Sequence, residues 1–189
     1  MSSKASFIFP KTESSQIVFE ESIFKIQRDI LKLPDQPNYN YYSLVTKKFA
    51  VNILAQTEEG LYVLVKEYRH PTGQAILGCP GGYIDRDDES PLEAAARELK
   101  EETGYEATHF ELLGASYPCP GITGQKTFYV KATGAYYVDS PQLETSEIIQ
   151  ISLQSKEDLN RDIQKGAAVD GNLCTALFFE QCQVRTILN

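Results

Sequence analysis

Residues Gly81 to Tyr105 read GGYIDRDDESPLEAAARELKEETGY. Within this stretch, Ser90, Pro91 and Glu93 supply an N-cap, a proline at the first helical position and the reciprocal partner of a capping box. The run LEAAARELKEET holds good helix formers without an internal Gly or Pro, and Gly104 is a natural left-handed stop. The pattern predicts a helix over about 91–103. At ~100° per residue, Glu98, Glu101 and Glu102 fall within roughly a 100° arc, while Leu92, Ala95, Ala96 and Leu99 gather on another. One side of the helix packs inward and three carboxylates project together.

Like charges at these spacings oppose the helix by about 0.2–0.5 kcal/mol per pair, so the cluster asks for a cation. Hard ions such as Mg²⁺ or Mn²⁺ take carboxylate oxygens and keep waters that a substrate phosphate can replace. Arg97 can pair with Glu101 four residues on and hold one carboxylate in place. The plainer alternative is a solvated acidic face offset by Arg97 and Lys100. Pro80, Gly81 and Gly82 stand just upstream, where glycines let backbone approach a ligand closely.

The stretch resembles the Nudix box, whose long spacing pattern is far more specific than a short glycine motif. Glu89, seven intervening residues and then Arg97-Glu98-Leu99-Lys100-Glu101-Glu102-Thr103-Gly104-Tyr105 match it. Six residues rather than five separate Gly82 from Glu89, a one-residue loop insertion that leaves the carboxylate half intact. The resemblance implies an α/β/α sandwich built on a mixed sheet. It also implies Glu98 and Glu102 as primary ligands of Mg²⁺ or Mn²⁺, with Glu101 serving a second ion or its water, the Gly81 carbonyl adding an oxygen, and Arg97 as support.

The 189 residues suit one domain with a small N-terminal addition, and 42% hydrophobic with 23% charged residues is ordinary globular composition. A net charge of −8 argues against nucleic acid as partner. Cys79, Cys119, Cys174 and Cys182 form no C-x-x-C pair, so a zinc site is not expected; reduced thiols are, with Cys119 in a loop. No run reaches membrane-spanning length, and a cytoplasmic protein is expected.

Residues 1–15 read as a flexible N-terminus, 16–47 as a small β unit and 48–189 as the main domain. Strands are expected near 16–20, 23–33, 41–47, 49–56, 61–67, 108–115 and 147–153, with residues 75–79 leading into the box and TFYVKATG and AYYV as further strand material interrupted by Gly134. Helices are expected over KEDLNRDIQKG, opened by Ser155 and Asp158, and over 172–185, where Leu173, Ala176, Leu177 and Val184 keep helical spacing.

Beyond the box, IVFEESIFKIQRDILKLP, VKEYRHPTGQAILGCPGG, SYPCPGITGQ and VDGNLCTALFF resemble the ADP-ribose pyrophosphatase branch of Nudix hydrolases. That likeness implies metal-dependent cleavage of a nucleoside diphosphate sugar and a homodimer whose N-terminal strands reach the partner's site. Phe24 and Arg28 are then base contacts, Arg69 a phosphate fork, Pro120 a residue the branch often carries sixteen positions after Gly104, and Glu144 or Glu147 the general base. Core packing for Phe24, surface salt bridging for Arg69 and a surface position for either glutamate are the ordinary alternatives. Gly78 and Cys79 depart from the acidic and aliphatic residues common in that branch, and GITGQK follows Pro120 where an acidic residue is common. GDP-sugars, dinucleotides and nucleoside triphosphates stay open as substrates, as does a non-catalytic module that binds nucleotide sugars.

Overall fold

In the strand Phe49–Thr57, Val51, Ile53 and Ala55 point to one side of the sheet and Leu54 to the other, and all four are buried. Such a strand must be covered on both faces, which fixes the layering of the main unit. The computed structural model describes residues 8–22, 24–47, 49–84, 90–143 and 147–187. Element order is β1 (Lys11–Glu20), β2 (Lys25–Lys32), β3 (Tyr39–Val45), β4 (Phe49–Thr57), β5 (Tyr62–Arg69), β6 (Gln74–Gly78), α1 (Pro91–Thr103), β7 (Tyr105–Ser116), β8 (Lys126–Tyr137), β9 (Ile149–Gln154), α2 (Lys156–Gln164) and α3 (Gly171–Ile187).

The chain divides into two compact units, one comprising Met1–Lys48 with Cys119–Gln125, the other Phe49–Pro118 with Lys126–Asn189. In the larger unit the sheet runs β6-β5-β4-β8-β7, with β9 paired to β5. Pairing is antiparallel except for β4 against β8, so the sheet is mixed. Val51, Ile53, Ala55, Val63, Val130 and Ala132 meet Ala94, Ala95 and Leu99 of α1. On the opposite face Leu54, Tyr62, Leu64, Leu77 and Tyr129 meet Leu159 of α2 and Leu173 and Ala176 of α3. At roughly 1.5–3 kcal/mol per buried aliphatic side chain, these two layers carry the fold.

The expected mixed α/β/α architecture is present, and the differences from expectation are local. Gly134 does not interrupt β8; it is the extra residue of a bulge, because Gln56 pairs with Thr133 while Thr57 pairs with Ala135. Its φ of +63° and a would-be Cβ only 2.3 Å from Thr108 Oγ1 explain why glycine stands there. The inward face of α1 is Ala94, Ala95, Leu99 and Thr103, whereas Leu92 is exposed at 38%. Leu92 sits in the first turn of the helix, ahead of the first buried residue Ala94.

The smaller unit is the antiparallel sheet β1-β2-β3. β1 starts at Lys11 rather than near 16, since Lys11 pairs with Lys32 and Thr12 with Leu31. Its polar opening KTESS carried no alternation to read, because the whole strand is exposed. The Cys119–Gln125 loop joins this unit through Leu44 N–H to the Ile122 carbonyl at 2.7 Å and Tyr41 O–H to the Gly121 carbonyl at 2.7 Å.

Candidate active site

Helix α1 is fixed at both ends as its sequence requires. Ser90 N–H donates to Glu93 Oε2 at 2.8 Å and Glu93 N–H to Ser90 Oγ at 3.3 Å, closing the capping box. Gly104 ends the helix at φ +71°. Apolar packing of Ala94, Ala95 and Leu99 then sets the rotation that carries Glu98 and Glu102 under the loop 80–82.

That loop lies along β4. Ile53 N–H donates to the Pro80 carbonyl and Val51 N–H to the Gly82 carbonyl, both at 2.8 Å. A Cβ on Gly81 would stand 2.3 Å from the Val51 carbonyl oxygen, and one on Gly82 would stand 2.4–2.6 Å from the Glu98 carboxyl group. Two glycines are needed because the backbone is pressed against β4 and the box carboxylates at once. The Gly81 N–H donates to Glu102 Oε2 at 2.9 Å.

Arg97 binds its neighbours in a fork. Nη1 donates to Glu98 Oε1 at 2.7 Å and to Glu101 Oε2 at 3.0 Å, and Nη2 donates to the Tyr83 carbonyl at 3.0 Å. Two of the three helix carboxylates are thus held by one guanidinium, which also clips the loop to the helix.

Glu102 is 8% exposed. Burial pushes its carboxyl up to about 8; the Gly81 N–H opposes this, while Glu98, Glu147 and Glu67 push in the same direction as burial. Four carboxylates from α1, β5 and the approach to β9 therefore share one field. Glu67 is likewise pushed up, first by burial and then by Glu147 and Asp170, against the Arg69 guanidinium. Its Oε2 lies 2.6 Å from Arg69 Nη2.

Among the described residues, no three His, Cys, Asp or Glu side chains are already gathered tightly enough to cage an ion. Glu98 and Glu101 lean onto Arg97, and Glu102 onto Gly81. The donor set nevertheless fits Mg²⁺ or Mn²⁺: hard oxygen ligands, mutually repelling and within one helical turn, graded from the buried Glu102 to the more open Glu101.

Of the other residues singled out by sequence, Glu147 is half-buried and within the field of Glu102, whereas Glu144, like Glu89, lies outside the described residues. Arg69 ends β5, ion-paired to Glu67. Arg28, Phe24 and Pro120 belong to the smaller unit. There Arg28 Nη2 donates to Gln16 Oε1 at 2.7 Å, and Phe24 stacks on Phe19 at 5.5 Å between ring centroids. Pro120 is the second residue of a turn closed by Ile122 N–H on the Cys119 carbonyl.

Sequence reasoning passed over Glu67. Its signal was available: strand alternation in VLVKEYR puts Glu67 on the same side as Val63 and Val65, and a carboxylate on a buried strand face needs a reason. It also missed Asp170, which caps α3 by accepting from Asn172 N–H at 2.6 Å and lies 3.4 Å from where a Gly78 Cβ would be. The position that lacks an acidic side chain at Gly78 thus has one beside it in space.

A mixed sheet covered on one face by a glutamate-bearing helix under a diglycine loop, and on the other by two helices, defines an α/β/α protein with a carboxylate box. A family model described as "NUDIX domain" matches residues 46–174, and the chain belongs to that family. It is 26% identical over 172 residues to the "ADP-ribose pyrophosphatase" of Bacillus subtilis, covering 90% of this chain and 92% of that one. It is 30% identical over 142 residues to the "ADP-ribose pyrophosphatase" of Mycobacterium tuberculosis, covering 72% and 66%. A "Methanol dehydrogenase activator" of Bacillus methanolicus is 27% identical over 174 residues, covering 92% and 93%. The solved structure of an "ADP compounds hydrolase" superposes with a TM-score of 0.84 over 96% of this chain and 97% of that one; at 24% identity it bears on the fold.

Proposed function

We propose that this protein hydrolyses the pyrophosphate bond of a nucleoside diphosphate sugar, ADP-ribose or a related ADP-sugar, giving a nucleoside monophosphate and a sugar phosphate. The observation that carries this reading is the buried Glu102, lodged beneath the diglycine loop with Glu98, Glu147 and Glu67 in its field. Similarity over 90% of this chain to one protein named ADP-ribose pyrophosphatase, and over 72% to another, supports the choice of sugar nucleotide.

Glu98, Glu101 and Glu102 would hold Mg²⁺ or Mn²⁺. When bound, such an ion neutralises charge on the phosphate oxygens and lowers the pKa of water. The chain's own residues do the rest. Arg97 keeps Glu98 and Glu101 aligned, and the Gly81 N–H orients Glu102. Arg69 offers its planar fork to a phosphate. Glu147, or Glu144 three positions earlier in the sequence, accepts the proton of the water that attacks one phosphorus as the bridging P–O bond breaks. Phe24 and Arg28 of the smaller unit serve the nucleobase end of a partner's site in a homodimer, with Pro120 in the loop that lines substrate. The protein works in the cytoplasm; among the described residues, no helix is long and apolar enough to cross a membrane.

The test is phosphate-product release from ADP-ribose, other ADP-sugars, GDP-mannose, dinucleotides and triphosphates with Mg²⁺ or Mn²⁺, beside Glu102→Gln. Cleavage of an ADP-sugar that drops about 10³-fold in the variant is expected, matching loss of several kcal/mol of charge stabilisation. Preference for GDP-mannose would move the base assignment. A second reading, a nucleotide-sugar-binding regulator, draws on the likeness to an activator protein; binding of ADP-ribose without any cleavage would establish it in place of the hydrolase.

A further inference from the structure

Glu67 and Arg69 lie two residues apart near the end of β5, so both project from the same side of the strand. The two ends of the pair are unlike: the Glu67 side chain is 18% exposed and that of Arg69 is 53% exposed. Glu67 follows Val63 and Val65 along the face that packs beneath α1. Its carboxylate opposes those of Glu147 and Glu102, and Arg69 is the cation that offsets it. Stability does not explain this arrangement. A pair with one end this exposed adds little to folding, and an acid on a buried strand face works against it. Its effect on Arg69 does explain it. A free arginine samples many rotamers, whereas this one is tied through Nη2 to a residue whose backbone is paired in the sheet on both sides, with Ile76 and Ile149. A guanidinium carries five N–H donors in one plane, so tethering one edge leaves others to face an oxyanion.

We propose that Glu67 is a positioning residue: it holds the Arg69 guanidinium in the orientation that meets the substrate's pyrophosphate next to the box glutamates. This rests on the hydrolase reading above. It assigns Glu67 to ground-state binding through Arg69, not to the reacting phosphorus.

The experiment is a double-mutant cycle with Glu67→Ala, Arg69→Ala and the pair, plus the near-isosteric Glu67→Gln in case the alanine variant folds poorly. kcat and KM are read for ADP-ribose with Mg²⁺, and ADP-ribose binding is read calorimetrically in a Glu102→Gln background. Glu67→Ala should raise KM and weaken binding about 5- to 10-fold with kcat nearly unchanged, and should add nothing once Arg69 is alanine. Glu67→Gln, which keeps an acceptor for the guanidinium, should recover part of the loss. Additive effects, a fall in kcat at constant KM, or no change in Glu67→Ala would each overturn the proposal while leaving the hydrolase intact. If the unsubstituted protein binds ADP-ribose without cleaving it, the hydrolase reading fails, and the calorimetric cycle still decides the role of Glu67. If ADP-ribose neither binds nor is cleaved, both fall.

Discussion

The sheet of the larger unit carries buried charge on both faces, and the two faces treat it in opposite ways. Beneath α3, Lys131 is 6% exposed and ion-pairs with Glu180. Lys131 also donates to Gln56 Oε1 at 3.1 Å and stands 5.0 Å over the Tyr62 ring, while Tyr62 O–H donates to Glu180 Oε2 at 2.7 Å. Burial works against the Glu180 carboxylate, yet hydrogen bonds from Lys131 and Tyr62 and the Lys131 charge hold it below the usual carboxylate range. Beneath α1, Glu102 has one backbone N–H and three carboxylates for company, and its carboxyl rises to about 8. The first cluster is complete and needs nothing from solution. The second holds more carboxylates than cations even with Arg97 on Glu98 and Arg69 on Glu67, which is the difference between a structural polar network and a candidate site.

The largest effect expected is on the satisfied face. Lys131→Met leaves Glu180 buried with its main cation gone, and should lower unfolding free energy by about 3–5 kcal/mol in urea titration. Lys131→Met combined with Glu180→Met should recover much of that loss, with kcat on ADP-ribose unchanged. If the single variant unfolds like the parent, the α3 face is not a self-contained network.

The α1 face should show the reverse behaviour with pH. The Glu102 carboxyl releases its proton near 4.5 in the unfolded chain and near 8 in the folded one. Below 4.5 both states are protonated and its contribution is fully present; between these values only the folded state keeps the proton, so stability falls as pH rises and levels off above about 8. In metal-free protein, Glu102→Gln should therefore gain stability over the parent progressively from pH 5 to pH 8, by about 1.4 kcal/mol for each pH unit at most. A constant difference across that window would mean that Glu102 ionises normally.

The smallest effect sharpens the role of the fork. Arg97→Ala takes the guanidinium away from Glu98, Glu101 and the Tyr83 carbonyl without removing an oxygen ligand, so kcat should fall about 10–100-fold, as when a group supporting a ligand is lost, with a melting temperature close to the parent's. A loss as large as that of Glu102→Gln would make Arg97 part of the chemistry itself.

Much of this was legible in the chain. Ser90, Pro91, Glu93 and Gly104 act within four residues of the groups they satisfy, so the ends of α1 could be read locally. The glutamate cluster followed from helical spacing, and Arg97 reaches Glu101 as i,i+4 geometry requires. The course of β8 through Gly134 was not legible, because whether a glycine ends a strand or bulges it depends on the two partner strands. Leu92 illustrates the same limit, since a helical wheel groups residues by angle but does not say which of them the neighbouring sheet covers.

The sequence by itself determined the box helix, its caps and the three carboxylates on one side, because those depend on contacts a few residues apart and on the fixed pitch of a helix. Only the tertiary structure decided that Glu67 from β5 and Glu147 from the approach to β9 would join Glu98 and Glu102, and that Glu102 would be buried beneath Gly81. Charge, burial and solvation at a point are summed over elements distant along the chain, and no local pattern carries that sum.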